Sequence, residues 1–309
     1  RGAAPGWGGD SACRAPGSSA AHLSVIAAIA VRLKTYAGFV KIEHTIFSLP
    51  LIYAGSLIGA RGFPSVRVAG LILLAAIGAR AAAMGLNRLI DLEMDRRNPR
   101  TKQRELPRGA MQAWEGWLVV VAGSLVYLVS AAALAPICLA LAPVPLALFA
   151  GYPYLKRFTS LSHLGLGLAW SMGPLAGWLA ASQSLERFND VVWLWLFSLL
   201  WVAGFDIIYA TMDEAFDRQA GLHSLPARLG KRRALNVAFI LHAAAFLALV
   251  ILWRDQLRSP AALAWLVGIG ALFVWQHAVA EKNPEFAFFR LNSLIGFFVF
   301  GLVFSGVPL

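Results

Sequence analysis

Asn87, Asp91 and Asp95 stand four residues apart within GLNRLIDLEMDRRNPRTKQRELPRGA, residues 85 to 110. Asp206, Tyr209, Asp213 and Asp217 follow similar steps within DIIYATMDEAFDRQAGLHS, residues 206 to 224. Spacings of three, four and seven put such side chains along one helix face, with neighbours about 5–6 Å apart. Carboxylates stacked in this way repel one another and need counter-charge. The first stretch supplies it: seven basic residues accompany Asp91, Glu93, Asp95 and Glu105. No Cys or His sits among the carboxylates, so the donors are hard oxygens, which suit Mg²⁺ rather than zinc. Mg²⁺ binds through a few carboxylates and takes its remaining ligands from water and substrate phosphates. Guanidinium and ammonium groups grip the same phosphate oxygens. Two acidic ladders among many cations therefore predict a diphosphate held between magnesium and basic side chains.

The elements that carry these ladders are membrane helices. Hydrophobic residues make up 59% of the 309, only 14% are charged, and mean hydropathy is +0.65. Soluble domains carry about 25% charged residues, which excludes a soluble enzyme. Apolar runs long enough to cross about 30 Å of hydrocarbon recur at 42–60, 66–86, 115–134, 137–153, 161–182, 190–212, 234–253, 260–280 and 291–308. None shows the alternation of a barrel strand. The class predicted is all-α, a polytopic membrane protein of about nine transmembrane helices. Both ladders fall at the ends of even-numbered helices.

Connections after even-numbered helices hold sixteen Lys and Arg, and those after odd-numbered helices hold five. The positive-inside rule puts the N-terminus and both ladders in the cytoplasm, in a plasma-membrane protein. The same bias accounts for the net charge of +11, so no nucleic-acid partner is expected. Residues 1–22, rich in Gly, Ala, Ser and Pro, read as a tail that is disordered or added by cloning, and 23–309 as a single transmembrane domain. Cys13 and Cys138 lie in unlike contexts and imply neither a disulfide nor a metal site.

The motif N-R-x-x-D-x-x-x-D-x-x-N-x-R-T at 87–101, paired with D-x-x-Y-A-x-x-D-x-x-x-D-x-x-x-G-x-H-S at 206–224, resembles the UbiA superfamily of intramembrane prenyltransferases. The resemblance runs from about Lys34 to the C-terminus and includes KIEHTIFSLP at 41–50 and YPYLKR at 152–157. It implies helices around a central cavity, a cytoplasmic cap over two aspartate-rich sites, and a side opening for a prenyl tail. It further implies two magnesium ions, one at Asn87, Asp91 and Asp95 and one at Asp213 and Asp217, with Asp206 close by. Arg88, Arg100, Lys102, Arg104 and Lys156 become the candidates for holding the diphosphate of a polyprenyl donor.

The acceptor is read from Arg80, a charge inside the second apolar run and seven residues before Asn87. A charge at that depth is functional by default, and its structural alternative is a pair with an acid such as Glu43. As a ligand for a carboxylate, Arg80 favours 4-hydroxybenzoate prenylated ortho to its hydroxyl, and the YATMD and HTIF segments resemble those of 4-hydroxybenzoate polyprenyltransferases. His44 and Tyr209 are further candidates for contact with the acceptor, and Asp206 for taking a proton. Other acceptors on the same fold stay open, among them naphthoate and geranylgeranylglyceryl phosphate. A divalent-cation transporter would need acids at mid-membrane on broken helices, whereas these acids cluster with cations at helix ends.

Overall fold

The computed structural model of the chain describes Gly2, residues 18–41 and residues 45–307. Within those residues the protein is helical and has no strand. Helix α1 (Ser18–Val40) is followed by α2 (Thr45–Ala60), α3 (Val66–Ile90) and the short α4 (Leu92–Arg97). A run of turns leads to α5 (Ala113–Leu134), α6 (Pro136–Leu141), α7 (Pro143–Leu155) and α8 (Ser162–Ser182). Helix α9 (Val192–Ala210) passes through one tight turn into α10 (Glu214–Gln219) and then α11 (Leu225–Leu229). Helices α12 (Lys231–Gln256), α13 (Pro260–Ala280), α14 (Pro284–Phe286) and α15 (Asn292–Gly306) complete the bundle.

Among the described residues eight helical spans are long and apolar enough to cross a membrane, one fewer than the sequence predicts. The run over 42–60 yields α2, a helix of 16 residues. At 1.5 Å per residue it spans about 24 Å, short of the hydrocarbon thickness. Helix α1 begins at Ser18. Ala-rich sequence favours a helix there. Arg32 and the Tyr36 hydroxyl fasten α1 to Glu115 Oε1, at 3.0 and 2.8 Å. The other oxygen of Glu115 accepts from the Gln112 amide at 2.7 Å, which closes the N-terminus of α5.

In lipid, helices gain little from apolar burial against one another, so close backbone approach matters more. Helices α2 and α8 meet on glycines: a methyl group on Gly55 would lie 2.0 Å from the Pro174 carbonyl oxygen, and one on Gly177 2.0 Å from that of Ile52. Aromatic rings of α8 and α9 pack together, with buried Trp201 stacked on Phe197 and edge-on to half-buried Trp170 and to Phe205. The Trp201 indole donates to Asn292 Oδ1 at 3.0 Å, and Gln276 donates to the same oxygen at 2.9 Å, tying α9, α13 and α15 together. Just before Asn292, residues Ala287–Leu291 form a π turn.

Helix α4, the turns over 98–112, α10 and α11 gather at the bundle end where α3, α7 and α9 stop. Beneath this cap lies a polar cavity of about 340 Å³. A second, apolar cavity of about 270 Å³ lies further along α3 and α8, and Phe149 borders both.

Gly55→Val is expected to force α2 and α8 apart and lower the melting temperature in detergent, since overpacking costs about 1–3 kcal/mol or more. Gly70→Ala, where a methyl meets nothing within 4 Å, is expected to leave that temperature unchanged or higher. Thermal scans of the two variants check the pair.

Candidate active site

The first ladder survives a break in its helix. Asp91 ends α3 and opens α4, yet its N–H bonds the Asn87 carbonyl at 3.0 Å and its carbonyl takes the Asp95 N–H at 2.8 Å. Helical bonding thus continues through the joint and keeps Asn87, Asp91 and Asp95 facing one cavity. The second ladder crosses the turn Thr211–Asp213, and Asp206, Tyr209, Asp213 and Asp217 line the same cavity from the opposite side.

Six cations and five aspartates line this space. Lys156 Nζ sits 2.6 Å from Asp91 Oδ2. Arg104 Nη1 lies 2.8 and 2.7 Å from the two oxygens of Asp95. Arg100 Nε donates to Asp213 Oδ1 at 2.8 Å, and its Nη2 bonds Oδ2. Asn98 adds a bond to Asp213 Oδ1 at 2.9 Å, which ties the end of α4 to the second ladder. Arg100 also donates to the Tyr209 hydroxyl at 2.5 Å. Arg88 differs from the other cations. It is 3% exposed, and its Nε and Nη1 have no hydrogen-bond partner.

Among the described residues, no three His, Cys, Asp or Glu side chains converge closely enough to hold a metal as they stand. Arginine and lysine meet the carboxylates instead. The donor chemistry nevertheless fits magnesium: the oxygens are hard, Asp91 Oδ1 is buried without a partner, and each paired cation has a flexible stem. Burial raises the pKa of Asp91 above its ordinary value, and the charge and hydrogen bond of Lys156 only partly oppose this.

The other expected site residues divide. Arg80 lines the cavity but also donates to the Val40 and Lys41 carbonyls, at 3.4 and 3.2 Å, and so binds the end of α1. Lys102 is exposed on the turns and does not line the cavity. The turn bonds at Thr101 and Lys102 carry it outward, while Arg104, two residues on, reaches in. His44 and Glu43 lie outside the described residues.

One residue escaped the sequence reading altogether. His163, in the first turn of α8, holds Asp206 Oδ2 at 2.7 Å through Nδ1. The pair spans 43 residues, so no spacing rule could have found it. A lone His opening an apolar helix was the only trace. Trp170, Phe205, Tyr209 and Phe288 form an aromatic wall beside it, with Tyr209 and Phe288 centroids 4.3 Å apart.

The UbiA prenyltransferase family model matches residues 48–302. The 4-hydroxybenzoate octaprenyltransferase of Coxiella burnetii (strain CbuK_Q154) is 30% identical over 248 residues, covering 79% of this chain and 85% of that protein. The enzyme of the same name from Vibrio atlanticus (strain LGP32) is 27% identical over 275 residues, 87% of this chain and 95% of its own. The apo structure of a UbiA homolog from Aeropyrum pernix K1 superposes with a TM-score of 0.78 at 37% identity, over 84% of this chain and 96% of that one. A UbiA homolog from Archaeoglobus fulgidus bound to DMAPP and Mg²⁺ shares the fold, with a TM-score of 0.64 at 19% identity over 89% and 100% of the two chains. With helices, paired ladders and relatives in agreement, the chain belongs to the UbiA prenyltransferase family.

Proposed function

We propose that this prenyltransferase moves a polyprenyl group from its allylic diphosphate to 4-hydroxybenzoate, at the carbon ortho to the hydroxyl, with Mg²⁺ as cofactor. The observation that carries the reading is one cavity in which two aspartate ladders, each already matched to cations, surround a buried arginine with two unpartnered nitrogens. The Archaeoglobus homolog, bound to DMAPP and Mg²⁺, supports the donor class and the metal. The curated relatives' names support the acceptor.

Asn87, Asp91 and Asp95 would hold one ion and Asp213 and Asp217 a second. Magnesium, when bound, supplies Lewis acidity to the diphosphate oxygens. The chain's own cations do the rest of the charge work. Arg88 offers Nε and Nη1, while Lys156, Arg104 and Arg100 exchange aspartate oxygens for phosphate oxygens. These fixed donors favour departure of the diphosphate with the electron pair of the allylic C–O bond. Trp170, Phe205, Tyr209 and Phe288 present ring faces and edges to the allylic carbon and keep water away. The acceptor ring carbon then forms the new C–C bond, and the single proton it loses passes to Asp206. Arg80 would hold the acceptor's carboxylate. Arg80 would serve a phosphate equally well, so geranylgeranylglyceryl phosphate is the second acceptor to test. The excess of Lys and Arg at the capped end supports a plasma-membrane enzyme with N-terminus and cap in the cytoplasm.

Membranes given 4-hydroxybenzoate and mixed prenyl diphosphates should yield a product whose mass is that of the two substrates together less diphosphoric acid, the diphosphate leaving the donor and the proton leaving the ring. No such mass, with product from another acceptor, overturns the assignment. Asp91→Asn or Asp217→Asn should abolish turnover, about 10³-fold or more, while gel filtration shows folded protein; full activity in either contradicts the two-ladder site. Arg80→Ala should raise the acceptor KM far more than the donor KM, and equal effects remove Arg80 as acceptor ligand. Asp91 must be ionised to bind a cation, and its pKa is raised. Acidification should therefore weaken Mg²⁺ binding at a pH above the ordinary aspartate range, read as a falling affinity in Mg²⁺ titrations of the wild type.

A further inference from the structure

His163 is 4% exposed and sits at the meeting point of three elements. From the cap, the Leu225 N–H donates to its Nε2 at 3.2 Å. A backbone N–H can only donate, so Nε2 must carry the lone pair and the ring proton resides on Nδ1. The Nδ1–H in turn donates to Asp206 Oδ2 at 2.7 Å. The tautomer is thus set by the first residue of α11, and the imidazole's direction is fixed at both nitrogens. The same cap segment is tied down elsewhere, because the His223 N–H donates to the Lys156 carbonyl at 2.8 Å, and the Ser224 hydroxyl accepts from Ala227 N–H at 3.3 Å. Among the described residues nothing engages Asp206 Oδ1, and Asp206 lines the cavity beside the aromatic wall.

We propose that His163 is a positioning residue: it clamps Asp206 Oδ2 so that Oδ1 receives the proton the acceptor loses, and it does so only while the cap segment at Leu225 is seated. The inference rests on the proposed role of Asp206 as proton acceptor and adds the group that aims it. In the balanced step the allylic C–O bond breaks with its electrons on diphosphate, the ring forms one C–C bond, and the ring's one displaced proton goes to Oδ1. His163 keeps its own proton throughout. An orienting hydrogen bond of this kind also explains why a polar ring occupies an otherwise apolar helix face, where an imidazole left unbonded would be costly.

The test uses the full chain in detergent or nanodiscs with purified donor and acceptor. His163→Phe keeps the ring volume and removes both hydrogen bonds, whereas His163→Asn keeps a donor near the position of Nδ1. A positioned proton acceptor is worth about 10²–10⁴-fold in rate, and losing its aim should take about tenfold or more of that. We expect His163→Phe to lower kcat by that factor with the donor KM within about twofold, and His163→Asn to recover much of it. An acceptor deuterated at the attacked carbon should show a primary isotope effect with His163→Phe larger than with the wild type, because proton loss becomes slower. An unchanged kcat in His163→Phe overturns the proposal, as does a loss that His163→Asn shares in full or that leaves the isotope effect unmoved. Asp206→Asn separates the two layers. If it retains full activity, the proton-acceptor reading itself fails; if it is inactive while His163→Phe is unimpaired, only the positioning role falls.

Discussion

Charge compensation inside a largely apolar bundle is the constraint on which the rest of this protein depends. Five aspartates near the membrane end of a helical bundle would repel one another and resist leaving water. Here each ladder meets cations brought from elsewhere in the chain: Lys156 on Asp91, Arg104 on Asp95 and Arg100 on Asp213. These pairs join α3, α7, α9 and the turns after α4, so the ion pairing that makes the acids tolerable also assembles the cap. Desolvation still prevails at Asp91, whose pKa is raised despite its lysine. In each of these pairs the two signs meet, so neither is left bare at the capped end.

The apolar part of the structure serves this polar part. Glycine contacts let α2 and α8 pack with their backbones touching, which fixes where the first residues of α8 stand and therefore where His163 stands. Large rings fill the space beyond, so the wall beside the aspartates is aromatic. The buried network of Trp201, Asn292 and Gln276 holds α15 to that wall without placing a charge in the membrane. Polar groups thus occur in two layers: uncharged in the middle of the bundle, where Trp201, Asn292 and Gln276 bond one another, and charged at its capped end.

Much of this was legible in the chain because helical periodicity is local. Steps of four between Asn87, Asp91 and Asp95 foretell a shared face, and the helical bonding that continues through Asp91 preserves it. The apolar runs gave the class, and their number was nearly right. What could not be read depends on distance along the chain or on turn geometry. Lys102 and Arg104 are alike in sequence, yet the turns send one outward and the other to Asp95. Arg80 was expected to face a substrate, and it also caps the carbonyls of α1, which no spacing predicts. His163 meets Asp206 only because α8 packs on α9, and meets Leu225 only because the cap folds back.

The π turn at Ala287–Leu291 gives the last membrane helix two independent phases. Phe288 faces the aromatic wall, and Asn292 faces the buried amide network. A regular helix would couple those two directions rigidly at about 100° per residue, whereas the wider turn absorbs one extra residue between them. Removing a single residue there would leave composition and hydropathy almost untouched. It would nevertheless swing either the ring out of the aromatic wall or the amide away from Trp201, so in this segment residue number matters more than residue type.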